Sequence, residues 1–317
     1  MPHIGVVDFY GLHKVREAQL RRALGASEGD LFPASPGDAE ERLDQVPGVL
    51  ESHLEAVCCD QGRTILYIGI EEKGTIHFEL REPPDGEVVL PAEITSSYRR
   101  FMDSFQAALR RGETGEDLTQ GHHLSADVVT RADQEMFKSL ADEHLAELRD
   151  VLKNSADEDQ RAIAAYIIGY EPRKNDIVAD LQFALKDSDP GVRANAVEGL
   201  LAVAVFAHLH PEAKIRIEPT WFIEMLNSLA WSDRNHALRA LQVLSDSRDP
   251  DLLNQLRERA LASLIEMSRW KTLAHALPAL ILVGRVGGMT DQQIQTAWTR
   301  GDRESVISVA TGKKPGK

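Results

Sequence analysis

A basic residue followed three positions later by alanine recurs four times in the second half of this chain. The copies are Arg161-x-x-Ala164, Arg193-x-x-Ala196, Arg234-x-x-Ala237 and Lys271-x-x-Ala274. The steps between the basic positions are 32, 41 and 37 residues, the span of repeats built from paired helices. Each copy opens an apolar helical segment, and three have aspartate just upstream, at Asp159, Asp189 and Asp233. A single helix pair cannot bury its own apolar face, so stacked neighbours have to supply the core. The expectation is an all-α solenoid over residues 155–310, a fold that presents a surface before it presents a reaction.

The second rung is written most clearly. Asp157 to Ile168 and Asp176 to Lys186 read as helices, and Asp187-Ser-Asp-Pro-Gly-Val-Arg193 as a turn with Pro190 in a first-turn slot. Ala194 to His208 is apolar almost all round, as expected of a helix sandwiched between neighbours. The stretch Ser188-Asp-Pro-Gly-Val-Arg-Ala-Asn-Ala-Val197 resembles the HEAT-repeat consensus, in which Asp ends the first helix, Val packs inward and Arg follows. The resemblance covers roughly Ser155 to Trp298. HEAT-like arrays mostly serve as protein-binding scaffolds, and that is the role it implies. A third unit reads as a helix from Pro219 to Trp231, a turn at Ser232 to His236 and a helix from Ala237 to Leu244, after an inserted loop at His210 to Glu218. The fourth comprises Leu252 to Met267 and Thr272 to Val283, with Gly284 to Gly288 as its stop. Asp291 to Trp298 starts a cap, and residues 311–317 read as a disordered basic tail.

Residues 1–80 carry a different pattern. Ile4 to Phe9 is a β-branched and aromatic run ending at Gly11, the mark of a short strand. Val15 to Leu24 puts Leu20, Ala23 and Leu24 on one helical stripe, with Gly25 as its stop. Asp38 is placed to cap a second helix carrying Ala39, Leu43 and Val46, ended by Pro47-Gly48. Leu54 to Cys59 and Thr64 to Ile70 read as strands, the second apolar enough to be covered on both faces. The order strand, helix, helix, strand, strand, with Gly11-Leu12, Gly29-Asp30, Leu43-Asp-Gln-Val-Pro-Gly-Val49 and Ile70-Glu-Glu72, resembles a POTRA-type module. Such modules are docking platforms in bacterial outer-membrane assembly and cell-division proteins, and take extended peptides at a sheet edge. The resemblance implies a bacterial, exported protein with a partner-binding edge, although no transmembrane or barrel segment accompanies it. Pro2 and His3 run into apolar Ile4 with no signal peptide, so the expectation is cytoplasmic, or periplasmic if a leader has been removed.

Residues 81–154 read as a helical junction. Ile94, Tyr98, Phe101, Phe105 and Leu109 give an amphipathic helix from Ala92 to Arg111, and a longer helix is expected from Ala126 to Leu152. His122-His123 is the only histidine pair, with His144 and Asp127 nearest to it in sequence. Zinc asks for three or four ligands at fixed spacing, so the pair is read as exposed or capping, and no metal or cofactor is assigned. Cys58 and Cys59 are adjacent, and neighbours on a strand point to opposite faces, so no structural disulfide is expected.

The balance of 36 Lys and Arg against 50 Asp and Glu gives a net charge of -14, which opposes nucleic-acid binding. No apolar run reaches the roughly 20 residues of a spanning helix, so no membrane insertion is expected. No nucleophile motif, phosphate loop or clustered ligand spacing is present. The leading expectation is therefore a non-enzymatic scaffold for a protein or peptide partner. Its contact residues are expected on one rim of the solenoid, at Trp231, Arg234, Asn235, His236, Trp270, Lys271 and His275, since Trp and Arg dominate interface hot spots. The alternative is an enzyme, such as a lyase by analogy with HEAT-like proteins that handle tetrapyrroles, using Asp233, His236 and His275 as acid-base groups.

Overall fold

The computed structural model describes residues 3–60, 62–75 and 78–312. Among these residues the chain is mostly helical, with fifteen helices and a three-stranded mixed sheet near the amino terminus. It divides into two compact units, Met1–Phe78 with Phe222–Lys317, and Glu79–Trp221. The expected segments at 1–80, 81–154 and 155–310 run along the chain, whereas the compact units do not, because the front module packs with the last helices.

The front module has strand β1 (Ile4–Tyr10), helices α1 (Glu17–Leu24) and α2 (Pro36–Asp44), and strands β2 (Val49–Asp60) and β3 (Arg63–Glu72). The sheet order is β1-β3-β2, with β1 parallel and β2 antiparallel to β3. Leu20 and Leu24 of α1 and Ala39 and Leu43 of α2 cover one face, meeting Leu66, Ile68 and Ile70 of β3. Gly25, at φ +67, ends α1 as its sequence predicts. Ser35 rather than Asp38 caps α2, its hydroxyl accepting from the Asp38 N–H; Pro36 at the first position moves the start three residues earlier.

Cys58 and Cys59 are joined by a disulfide, against expectation. The register of the β2–β3 ladder shifts between Val57 and Asp60, so the strict alternation on which that expectation rested does not hold at this end of the hairpin.

From Phe222 the same unit holds the rest of α9 (Thr220–Met225), then α10 (Trp231–Leu244), α11 (Pro250–Arg259), α12 (Leu261–Ser268), α13 (Leu273–Val286), α14 (Asp291–Thr299) and α15 (Arg303–Thr311). Two expectations change here. The third pair's first helix is only six residues long, and α10 begins at Trp231, so Trp231 to His236 form helical turns rather than a loop. The expected Leu252–Met267 helix breaks at Ala260, whose φ of -137 is not helical. Thr311 and Gly312 belong to α15 and its cap; the rest of the expected tail lies outside the described residues.

The other unit holds α3 (Ala92–Arg110), the two-residue strands β4 (Glu116–Asp117) and β5 (Leu124–Ser125), α4 (Val128–Glu143), α5 (Leu145–Asn154), α6 (Glu158–Ile168), α7 (Lys174–Ala184) and α8 (Pro190–Leu209). The single helix expected from Ala126 to Leu152 is broken into α4 and α5 at His144, with φ -116 and ψ 21, whose imidazole pairs with Glu93 and Glu147. Asp157 and Asp189 cap α6 and α8, while Asp159 lies inside the first turn of α6. Alone among the described helices, α8 is long and apolar enough to cross a membrane, a run the sequence reading did not credit. It packs on α6 and α7.

The basic rungs act as staples. Arg161, Arg193 and Arg234, each under 5% exposed, donate to the carbonyl six residues upstream, on Ser155, Asp187 and Ser228. Each guanidinium ties its helix to the turn that precedes it. Arg161 also makes a two-pronged bridge to Asp187, at 3.0 and 2.9 Å.

Candidate functional site

The second face of the small sheet rests on α10, α13 and the turn before α13 that carries Trp270 and Lys271. Tyr67 of β3 stacks on Trp231 with ring centres 4.9 Å apart and planes 12° from parallel, and lies 4.9 Å from Trp270. Its hydroxyl meets His275 Nδ1 at 2.7 Å, and burial lowers the His275 pKa. Tyr10 at the end of β1 donates to the Leu229 carbonyl at 2.7 Å, and the Arg234 guanidinium lies 4.4 Å over its ring. Gly69 admits this approach because any Cβ there would stand 2.1 Å from the Leu229 carbonyl oxygen. Aromatic contacts of this kind contribute about 0.5–1.5 kcal/mol each beyond their buried area.

Polar groups ring the aromatic patch. The Lys271 N–H donates to Asp8, and its ammonium to the Val7 carbonyl and Glu28. Burial raises the Asp8 pKa against the pull of Lys271. The Ser232 N–H donates to Glu55 of β2. Glu266 of α12 accepts from the Gly11 N–H at 2.9 and 3.0 Å. A cleft of about 750 Å³ opens beside these contacts, lined by Gly11, His13, Arg234, Arg259, Glu266 and Arg269 among others.

Five of the seven residues expected on an open rim, Trp231, Arg234, Trp270, Lys271 and His275, therefore contact the chain's own front module. Asn235 and His236 are half-buried in the first turns of α10. Only Arg234 and Trp270 of the seven line the cleft. Asp233, His236 and His275 of the catalytic alternative do not line it; Asp233 is buried and takes the Ser228 hydroxyl at 2.7 Å. Sequence reasoning missed Tyr10, Tyr67 and Glu266. The available signal was weak, since two tyrosines inside otherwise aliphatic strands read as core.

In the other unit the histidine pair separates. His122 is buried beside Tyr170, whereas His123 lies between Glu116 and Glu198. Asp127 caps α4, and among the described residues no group of three or more His, Cys, Asp or Glu side chains is placed to hold a metal. No known protein family matches this chain, and no curated protein resembles it significantly.

Proposed function

We propose that this chain is a non-enzymatic scaffold that binds a protein or peptide partner, built from a POTRA-like module and a HEAT-like helical array. The observation that carries the reading is the docking of the front module on α10, α12 and α13, with an open cleft alongside it. These helices engage a folded β-module through two tryptophans and a buried arginine, the residue types that anchor protein interfaces. The mixed sheet in strand-helix-helix-strand-strand order supports the POTRA-like part. The arginine staples, each before a new helix, support the HEAT-like part.

Because Trp231 and Arg234 hold the front module, the partner surface is assigned to the exposed cleft walls, where Ala262 and Arg269 stand. The test is affinity purification of the full chain beside Arg269→Glu and Ala262→Asp. A scaffold loses at least one specific partner in both variants while its melting temperature is retained. Identical partner sets in all three preparations would sink this assignment.

A further inference from the structure

Five consecutive main-chain N–H groups, Gly11 to Val15, donate to two carboxylates. Glu72, at the end of β3, takes those of His13, Lys14 and Val15 at 2.7–2.9 Å. Glu266 takes the other two, with Gly11 at 2.9 Å and Leu12 at 3.4 Å. Gly11 has φ +80, and a Cβ there would stand 2.1 Å from the Ile70 carbonyl oxygen, so only glycine turns the chain this way. The resulting pair of N–H groups is a backbone nest, a recurring device for capturing carboxylates and chain termini.

The two carboxylates are not equivalent. Glu72 belongs to the module's own sheet and fixes the loop. Glu266 arrives from a helix more than 250 positions away in sequence. Arg234 Nη1 forms an ion pair with Glu266 Oε2 at 3.6 Å, beyond hydrogen-bond reach, and has no hydrogen-bond acceptor although its side chain is 5% exposed. A buried N–H donor without an acceptor is destabilising, and an ion pair at this distance relieves it only in part. A carboxylate seated slightly nearer Arg234 would serve the nest and the guanidinium together. Both Gly11 and Arg234 line the 750 Å³ cleft, whose size is in the range of sites that enclose ligands far larger than a carboxylate. Glu266 keeps 27% of its side chain exposed, which gives it a solvent side to move into.

We propose that Glu266 is an internal stand-in, and that the cleft binds the C-terminal carboxylate of a partner polypeptide on Gly11 N–H, Leu12 N–H and Arg234. The residues preceding that terminus lie along the cleft, whose walls carry Asn227, Ser263 and Thr75, with Ser263 donating to Asn227 and Thr75 to the Glu72 carbonyl. This assignment rests on the scaffold reading and names the part of the partner that is read.

The test uses the full chain and fluorescein-labelled random hexapeptide pools, one ending in a free carboxylate and one in an amide, followed by fluorescence polarisation. The free-acid pool is expected to bind at least about tenfold more tightly, because the amide gives up charge-assisted hydrogen bonds. Glu266→Gln should tighten that binding by weakening the internal competitor, and Arg234→Lys should weaken it. Glu266→Gln retains a carbonyl for the Gly11 N–H, so it keeps the assignment testable if the Arg234 variant fails to fold. Pools that bind alike, or Glu266→Gln leaving affinity unchanged or lower, overturn the proposal. Full displacement of the free-acid pool by millimolar acetate overturns it too, since the site then reads a bare carboxylate rather than a chain end. If the pools bind alike while Arg269→Glu still loses a partner from lysate, the scaffold reading stands and only this assignment falls.

Discussion

Removing Arg161 should loosen α6 and α8 far more than a surface charge change would. The side chain is 1% exposed and donates twice to Asp187, which is fully buried, and to the carbonyls of Ser155 and Ala156. Breaking one side of a buried pair costs about 3–5 kcal/mol, because the remaining charge stays out of water. Asp187 retains Arg81 at 3.0 Å and the Asp189 N–H, which compensates part of that charge. The carbonyl of Ser155, itself buried, loses a donor. Together these place Arg161→Met at about 4 kcal/mol, or roughly a thousandfold faster amide exchange in α6 and α8. Hydrogen exchange read by mass spectrometry reports on these helices separately from the other unit. The double variant Arg161→Met with Asp187→Leu should recover about 2 kcal/mol relative to the summed single effects, since no buried carboxylate is left behind. Less than tenfold acceleration in the single variant, or simple additivity in the double, would refute the staple reasoning.

Three further outcomes follow from distances in the structure. Tyr67→Phe removes the 2.7 Å bond to His275 and should cost about 1 kcal/mol, whereas Tyr67→Ala also empties the space against Trp231 and Trp270 and should cost about 3–5 kcal/mol, measured as urea midpoints at constant slope. Gly69→Ala adds a methyl 2.1 Å from the Leu229 carbonyl, so it should destabilise by about 1–3 kcal/mol and quench less of the Trp231 and Trp270 fluorescence as the sheet is pushed away. Burial, with the Lys174 and Lys138 ammonium groups nearby, holds the His122 imidazole at about 4, below its unfolded value. The unfolded chain therefore binds more protons between the two values, so stability falls as pH drops from about 6.5 to 4, by about 3 kcal/mol once the folded pKa is passed. His122→Phe should flatten that part of a melting-temperature profile, and an unchanged acid slope in the variant would assign the effect elsewhere.

Local signals were legible where one side chain decides a local outcome. Gly25 stops α1 because the left-handed cap needs no Cβ, and the β-branched run in β3 marks a strand covered on both faces. The aromatic stripe of α3 is inward at Ile94 and Phe101 for the reason its spacing gives. What stayed hidden depends on residues distant in sequence. The break at His144 carries no proline or glycine; it goes with ion pairs to Glu93 and Glu147, and the first of these lies about fifty positions upstream. The cap of α2 lies three residues before Asp38 because Pro36 takes the first helical position. Glu266 is one of many acidic residues on an acidic chain, and nothing local distinguishes it from a solvated surface carboxylate.

Tryptophan and arginine enrichment marks a surface that will be covered, without stating by what. On this chain Trp231, Arg234 and Trp270 are covered by Tyr10 and Tyr67 of the same polypeptide. The distinction changes what a partner has to overcome. A module tethered in the same chain competes at an effective concentration that reaches millimolar for short flexible links, so an external ligand aimed at the Trp231–Tyr67 contact needs large intrinsic affinity to displace it. A ligand entering the cleft beside Gly11 displaces one part-exposed carboxylate and leaves the stacked rings in place. Weak or transient partners should therefore select the cleft first. Release of the front module should appear only with variants, such as Tyr67→Ala, that remove the aromatic contact itself.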